Sequence, residues 1–150
     1  MVLKVNDKAP DFCLNSTSGK KFQLSKDAAN RPILLYFYPK DFTPGCTKEA
    51  CSFRDNFDLF KKLDVDVVGI STDSVKQHLR FKDTHQLPFE LLSDVTGQVC
   101  RAYNALIPVL NISKRITYLL DSDHRIAATY SDLFGAERHI QKMLVSVQQL

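Results

Sequence analysis

Residues 32–38, Pro32-Ile33-Leu34-Leu35-Tyr36-Phe37-Tyr38, form a nearly continuous apolar run. A strand with one wet face alternates apolar and polar residues, so a run that is apolar throughout predicts a strand covered on both faces. Asp66-Val67-Val68-Gly69-Ile70-Ser71 reads the same way. Two such strands must be sandwiched by other elements, which restricts the chain to an α/β architecture.

The remaining segments fit around them. Asp11-Phe12-Cys13-Leu14 and Lys21-Phe22-Gln23-Leu24 flank Ser16-Thr17-Ser18-Gly19-Lys20 and predict an N-terminal β-hairpin. A helix is predicted from about Thr43 to Leu63, with Cys46, Ala50, Phe53, Phe57 and Phe60 as its core stripe. A second helix runs from Ser74 to about His85, ended by Leu87-Pro88. Leu91-Leu92-Ser93-Asp94 reads as a short strand or turn, and Gln98 to Asn104 as a short helix. Ile116-Leu120 and Arg125-Tyr130 form a second hairpin, and a terminal helix spans about Gly135 to Val147. This order predicts one domain over residues 1–150, with a central mixed β-sheet flanked by helices.

The 150 residues suffice to bury about two-thirds of the unfolded surface. A net charge of +3, with no cluster of Lys and Arg among aromatics, argues against nucleic-acid binding. No run approaches the ~18 apolar residues of a membrane span. The N-terminus lacks the apolar core of a signal peptide, so the four cysteines are expected as reduced thiols in the cytoplasm. On the same ground the Asn111-Ile112-Ser113 sequon is disregarded.

Chemistry concentrates where the first buried strand gives way to the first long helix. Pro44 suits the first helical position, Thr43 then falls at the N-cap, and Cys46 enters the first turn. A thiol there faces unpaired N–H groups and the positive end of the helix dipole, which favours its thiolate. Such cysteines can titrate well below the ordinary value of about 8.5. Cys51 follows five residues later. In an unbroken helix the two Cα atoms stand about 8.6 Å apart, beyond the roughly 4.4–6.8 Å that a disulfide tolerates. The pair therefore acts as a switch that must unwind the helix, or else comprises two unrelated cysteines packed as small hydrophobes. Cys51 lies off the core stripe and is expected nearer to solvent than Cys46.

Pro39, Thr43 and Cys46 stand in the order Pro-x-x-x-Thr-x-x-Cys, the signature of peroxiredoxins. The longer run Tyr36 to Cys51 resembles the bacterioferritin comigratory protein (peroxiredoxin Q) subfamily. The likeness continues through Ala9-Pro10-Asp11-Phe12, Arg54-Asp55-Asn56-Phe57, Val68 to Asp73, Leu91 to Asp94 and Arg115 to Asp121. This resemblance implies a thioredoxin-like fold and thiol-dependent reduction of hydrogen peroxide and alkyl hydroperoxides. It implies Cys46 as the peroxidatic cysteine, oxidised to a sulfenic acid, and Cys51 as the resolving cysteine that condenses with it. Thr43 would contact the peroxide through its hydroxyl. Arg115 would stabilise thiolate and leaving oxygen, and Pro39 would shield the pocket. Thioredoxin or glutaredoxin would serve as reductant, with no cofactor, and the chain is expected to be a monomer.

Other residues receive plainer assignments. Glu49 reads as a first-turn acid with a supporting role. Cys13, in an edge-like strand, and Cys100, in a short helix, read as packing residues, Cys100 being also an alternative resolver. His78, His85, His124 and His139 lack metal-ligand spacing, and no metal site is expected. His124 occupies a turn position that relatives usually fill with Gly, and it tolerates positive φ better than most residues. The segment 105–114 is shorter than in many relatives. The absence of Cys-x-x-Cys argues against a thioredoxin-type disulfide oxidoreductase, whereas a redox sensor or chaperone using the same cysteine switch stays open.

Overall fold

The computed structural model describes residues 2–131 and 136–150. Its strands are β1 (Cys13–Ser16), β2 (Lys21–Gln23), β3 (Ile33–Phe37), β4 (Asp66–Ser71), β5 (Glu90–Ser93), β6 (Leu106–Ile107), β7 (Ile112–Ser113), β8 (Ile116–Leu120) and β9 (Ile126–Tyr130). The helices are α1 (Leu24–Asp27), α2 (Pro44–Asp55), α3 (Phe57–Lys62), α4 (Val75–His85), α5 (Gln98–Ala102) and α6 (Ala136–Gln148). Seven strands form one sheet in the order β2-β1-β5-β4-β3-β8-β9. β3 runs parallel to β4 and antiparallel to β8, so the sheet is mixed as expected.

Every residue of β3 is buried. Alternation across the pleat sends Ile33, Leu35 and Phe37 into one apolar cluster and Leu34 and Tyr36 into the other. The first cluster is closed by Leu24 of α1, by Val99 and Cys100 of α5, and by the N-terminal Ala9 and Phe12. The second takes Cys46, Ala50 and Phe53 from α2, Phe60 from α3, Phe81 from α4, and Ile140, Met143, Leu144 and Val147 from α6. Helices therefore cover both faces, which is the requirement that the apolar runs imposed.

Several boundaries differ from expectation. The long helix is two: α2 ends at Asp55 and α3 begins at Phe57. Asn56 divides them with ψ near 7°, and its side-chain amide donates to the Ser52 carbonyl at 2.9 Å. An Asn that bonds the local backbone offers the chain an alternative to continued helix. The turn rotates the following residues, leaving Phe60 buried while Phe57 is only partly covered. Leu24 does not extend the hairpin but opens α1, because Asp27 accepts from the Gln23 N–H at 2.7 Å and Asp11 from the Ser25 N–H at 2.9 Å. Pairing of the hairpin begins at Cys13, and β2 forms the sheet edge instead of β1. Cys13 is exposed and does not pack in the core. The segment 105–114 carries a small antiparallel β6–β7 ladder that its sequence pattern does not signal. His124 takes φ 59°, as its turn requires, with Nε2 held by the Ala28 carbonyl at 2.7 Å. The expected start of the terminal helix at Gly135 lies outside the described residues.

Candidate active site

The apolar strand β3 ends beside the tip of α2, and Cys46 is seated at that tip. Thr43 is the N-cap, Pro44 opens the helix, and the first intrahelical bond runs from the Thr47 N–H to the Thr43 carbonyl at 2.9 Å. Cys46 therefore lies among the N–H groups that a helix start leaves unpaired. Its side chain is buried at 1% exposure. Burial disfavours a charged group in general, whereas a neighbouring cation favours an anionic one. That cation is Arg115, entering from just before β8. Its Nη2 donates to Cys46 Sγ at 3.2 Å, and its Nη1 donates to Glu49 Oε1 at 2.8 Å.

Glu49 holds the guanidinium in place. Its carboxylate is 8% exposed, and burial pushes its pKa up to about 7 although Arg115 pulls the other way. For Arg115 burial opposes the charge, but Glu49 and Cys46 outweigh it, so the guanidinium is held more firmly protonated than usual. Room for it comes from Gly45, where a Cβ would stand 3.0 Å from Nη2.

The preceding loop is fastened from below. The Asp41 carboxylate accepts from the Tyr38 hydroxyl and meets His78 Nδ1, each at 2.6 Å, with Asp41 and His78 both buried. His78 Nε2 lies 3.0 Å from the Leu92 carbonyl; a carbonyl only accepts, so that nitrogen carries a proton. The Asp41 N–H donates to Asp73 Oδ2 at 2.9 Å. These bonds hold the loop while Phe42 adopts φ 67°, a conformation that costs a bulky residue of order 1 kcal/mol or more. Thr43 follows directly. Its hydroxyl does not cap α2 but donates to the Lys40 carbonyl at 2.8 Å. Its lone pairs keep acceptor capacity toward a protic ligand. Pro39, partly buried, lies at the start of the same loop.

Cys51 sits within the unbroken part of α2 and is more exposed than Cys46, as expected. Its Sγ is 3.9 Å from His85 Nδ1 at the end of α4. Both cysteines are free thiols, consistent with a helix too long between them for a bond.

The family described as AhpC/TSA matches residues 5–129, most of the chain. The chain belongs to the AhpC/TSA family. Among its relatives is the peroxiredoxin bcp of Coxiella burnetii, 43% identical over 136 residues that cover 87% of this chain and 89% of that protein. The chloroplastic peroxiredoxin Q of Oryza sativa subsp. japonica is 41% identical over 143 residues, covering 95% of this chain and 65% of the rice protein. The chain thus spans just under two-thirds of the length of the rice relative. The crystal structure of peroxidoxin BcpB from Mycobacterium tuberculosis superposes with a TM-score of 0.92 at 34% identity, covering 99% of this chain and 98% of that one. The chain is accordingly a peroxiredoxin of the Q/bcp type with a thioredoxin-like fold.

Cys46 and Arg115 meet directly, and Thr43 and Pro39 stand on the loop that leads into α2. Cys51 is on the same helix but has different neighbours. Cys100 belongs to the cluster on the opposite face of the sheet from Cys46, and burial followed by the nearby Asp94 charge pushes its thiol far above the ordinary range. Both facts remove it as a convenient resolver. Glu49 is not a first-turn acid as expected: it lies in the second turn, buried against Arg115. Its spacing of three residues from Cys46 puts both on one helix face, a signal available in the sequence. Chain order gives no sign that Asp41 and His78 meet, because nothing in it couples residues 37 positions apart. Together with Asp73 they bring ligand-type atoms within 4.8 Å of one another, but those atoms are already engaged in the hydrogen bonds above. Among the described residues no helix is long and apolar enough to cross a membrane.

Proposed function

We propose that this chain is a thiol-dependent peroxidase that reduces hydrogen peroxide and alkyl hydroperoxides. The single observation that carries the proposal is the Arg115 guanidinium on Cys46 Sγ at the tip of α2. A fixed cation and helix N–H groups around a buried sulfur are the surroundings that favour an attacking thiolate.

In the proposed reaction the Cys46 thiolate attacks one peroxide oxygen and the O–O bond breaks. Cys46 becomes a sulfenic acid, and the other oxygen departs as hydroxide or alkoxide, protonated to water or alcohol. Arg115, steadied by Glu49, faces the charge that develops on the oxygens. The Thr43 hydroxyl accepts a hydrogen bond from the peroxide, and Pro39 limits access of bulk water. Cys51 then condenses with the sulfenic acid, releasing water and forming a Cys46–Cys51 disulfide once α2 opens. A thioredoxin- or glutaredoxin-type dithiol returns both cysteines to thiols. The protein is proposed to act as a one-domain monomer, needing no cofactor, in the cytoplasm.

The test is one equivalent of hydrogen peroxide added to the reduced protein, followed by alkylation and a non-reducing peptide map. A Cys46–Cys51 link is the expected product. Unoxidised Cys46 would refute the peroxidase assignment, and a link to Cys100 would refute the resolving role of Cys51. In the Cys46→Ser variant peroxide consumption should cease.

A further inference from the structure

Opening α2 releases the resolving thiol, but a thiol is a poor nucleophile until it loses its proton. The groups around Cys51 offer a place for that proton. His85, the last residue of α4, presents Nδ1 to Cys51 Sγ at 3.9 Å, within the reach of a sulfur hydrogen bond. The ring is held on two sides, by Phe81 with centroids 5.1 Å apart and by Phe42 at 6.2 Å. The backbone of His85 is fixed too: Arg54 Nη1, one helical turn after Cys51, donates to its carbonyl at 2.7 Å. Two residues of α2 thus grip one residue of α4.

Charged residues near Cys51 and His85 come from both helices. On α2 the charged residues within a helical turn of Cys51 include Lys48, which is exposed, and Arg54 and Asp55, which pair at 3.0 Å. On its own helix Lys82 turns away to the Leu87 and Phe89 carbonyls, and Asp83 is exposed. The loop brings the Phe42 ring to His85. Arg54 adds positive charge near Cys51.

We infer that His85 is the general base of the resolving step, accepting the Cys51 proton through Nδ1. This rests on the peroxidase assignment above. The S–H bond of Cys51 breaks and its proton passes to Nδ1, giving an imidazolium–thiolate pair while α2 is still closed. The freed thiolate attacks the sulfenic sulfur of Cys46 as the helix opens. The S–S bond forms, the S–O bond breaks, and the oxygen leaves as hydroxide. Hydroxide takes a proton from solvent to give water, and His85 returns its own proton to solvent. Cys51 sulfur is oxidised and Cys46 sulfur reduced by one unit each, so the step needs no other reactant. Histidine suits the task because its ordinary pKa of about 6.5 places a neutral acceptor at neutral pH.

The experiment is quench-flow of the reduced full-length protein with excess hydrogen peroxide, at pH values between about 5.5 and 9. Alkylation and mass spectrometry follow two phases: loss of the Cys46 thiol, then formation of the Cys46–Cys51 disulfide. The wild-type second phase should rise with pH through an inflection that belongs to His85. In His85→Gln that inflection should move to higher pH, because a thiol without a base gives up its proton later than an imidazolium does. At pH 7 the second phase should slow about tenfold relative to the first, and the two proteins should converge near pH 9. Free imidazole should restore the second phase in His85→Ala. An unshifted inflection would overturn the inference. So would a faster second phase in His85→Gln, which would make the contact a clasp on the closed helix. Equal slowing of both phases would mark a structural role and overturn it as well. Should wild-type Cys46 resist peroxide, the peroxidase assignment falls first; should Cys46 oxidise without a Cys46–Cys51 link, only the resolving step and His85 fall.

Discussion

Glu49 makes the arrangement around Cys46 dependent on pH in a way that can be measured as stability. Its carboxyl is almost wholly withdrawn from water, and burial raises its pKa from the usual 4.5 to about 7 despite Arg115. The folded protein therefore keeps the Glu49 proton over a range where the unfolded chain has lost it. The resulting stabilisation is complete below about pH 4.5 and is lost as the pH rises through about 7. At 1.36 kcal/mol per unit of pKa, the full change is about 3 kcal/mol. Glu49→Gln keeps an acceptor for Arg115 Nη1 but cannot titrate. Urea unfolding of both reduced proteins between about pH 4.5 and 8 provides the assay, using midpoints and a common slope. The stability of wild type minus that of Glu49→Gln should fall by about 3 kcal/mol across this range. Parallel pH profiles for the two proteins would refute the argument, because they would mean that burial does not raise Glu49 in the folded state.

Arg115→Ala removes the donor on Cys46 Sγ and should slow the reaction of Cys46 with peroxide at least tenfold, about 1.4 kcal/mol of barrier; competition kinetics would read this, and an unchanged rate would detach the arginine from the thiolate. Gly45→Ala places a Cβ about 3.0 Å from Arg115 Nη2. The flexible guanidinium should yield, giving a smaller loss of peroxide rate than Arg115→Ala with an unchanged thermal midpoint. Cys51→Ser should consume one equivalent of peroxide and stall at the sulfenic acid, trapped with a dimedone-type reagent; sustained thioredoxin-linked turnover would count against its resolving role.

Much of this protein is decided by short-range pattern. The apolar runs at 33–37 and 67–70 had to become strands covered on both faces, since no other placement hides every side chain. Pro44 and the residues around it likewise had to open a helix, which put Cys46 among unpaired N–H groups whatever the rest of the chain did. The spacing of Cys46 and Cys51 on one helix made a direct disulfide impossible without unwinding. Where the sequence pattern misled, local competition was the cause: the Asn56 amide divides a helix that its periodicity would continue, and Asp27 turns Leu24 out of the hairpin. The electrostatics belonged to tertiary structure. Arg115 reaches Cys46 across 69 positions, Asp41 meets His78 across 37, and Cys51 meets His85 across 34. A chain pattern records which residues share a face of one element, but it carries no record of which faces meet. Burial too is a property of the assembled layers, and it is burial that lifts Glu49 toward neutrality and encloses the Cys46 thiol beside the Arg115 guanidinium.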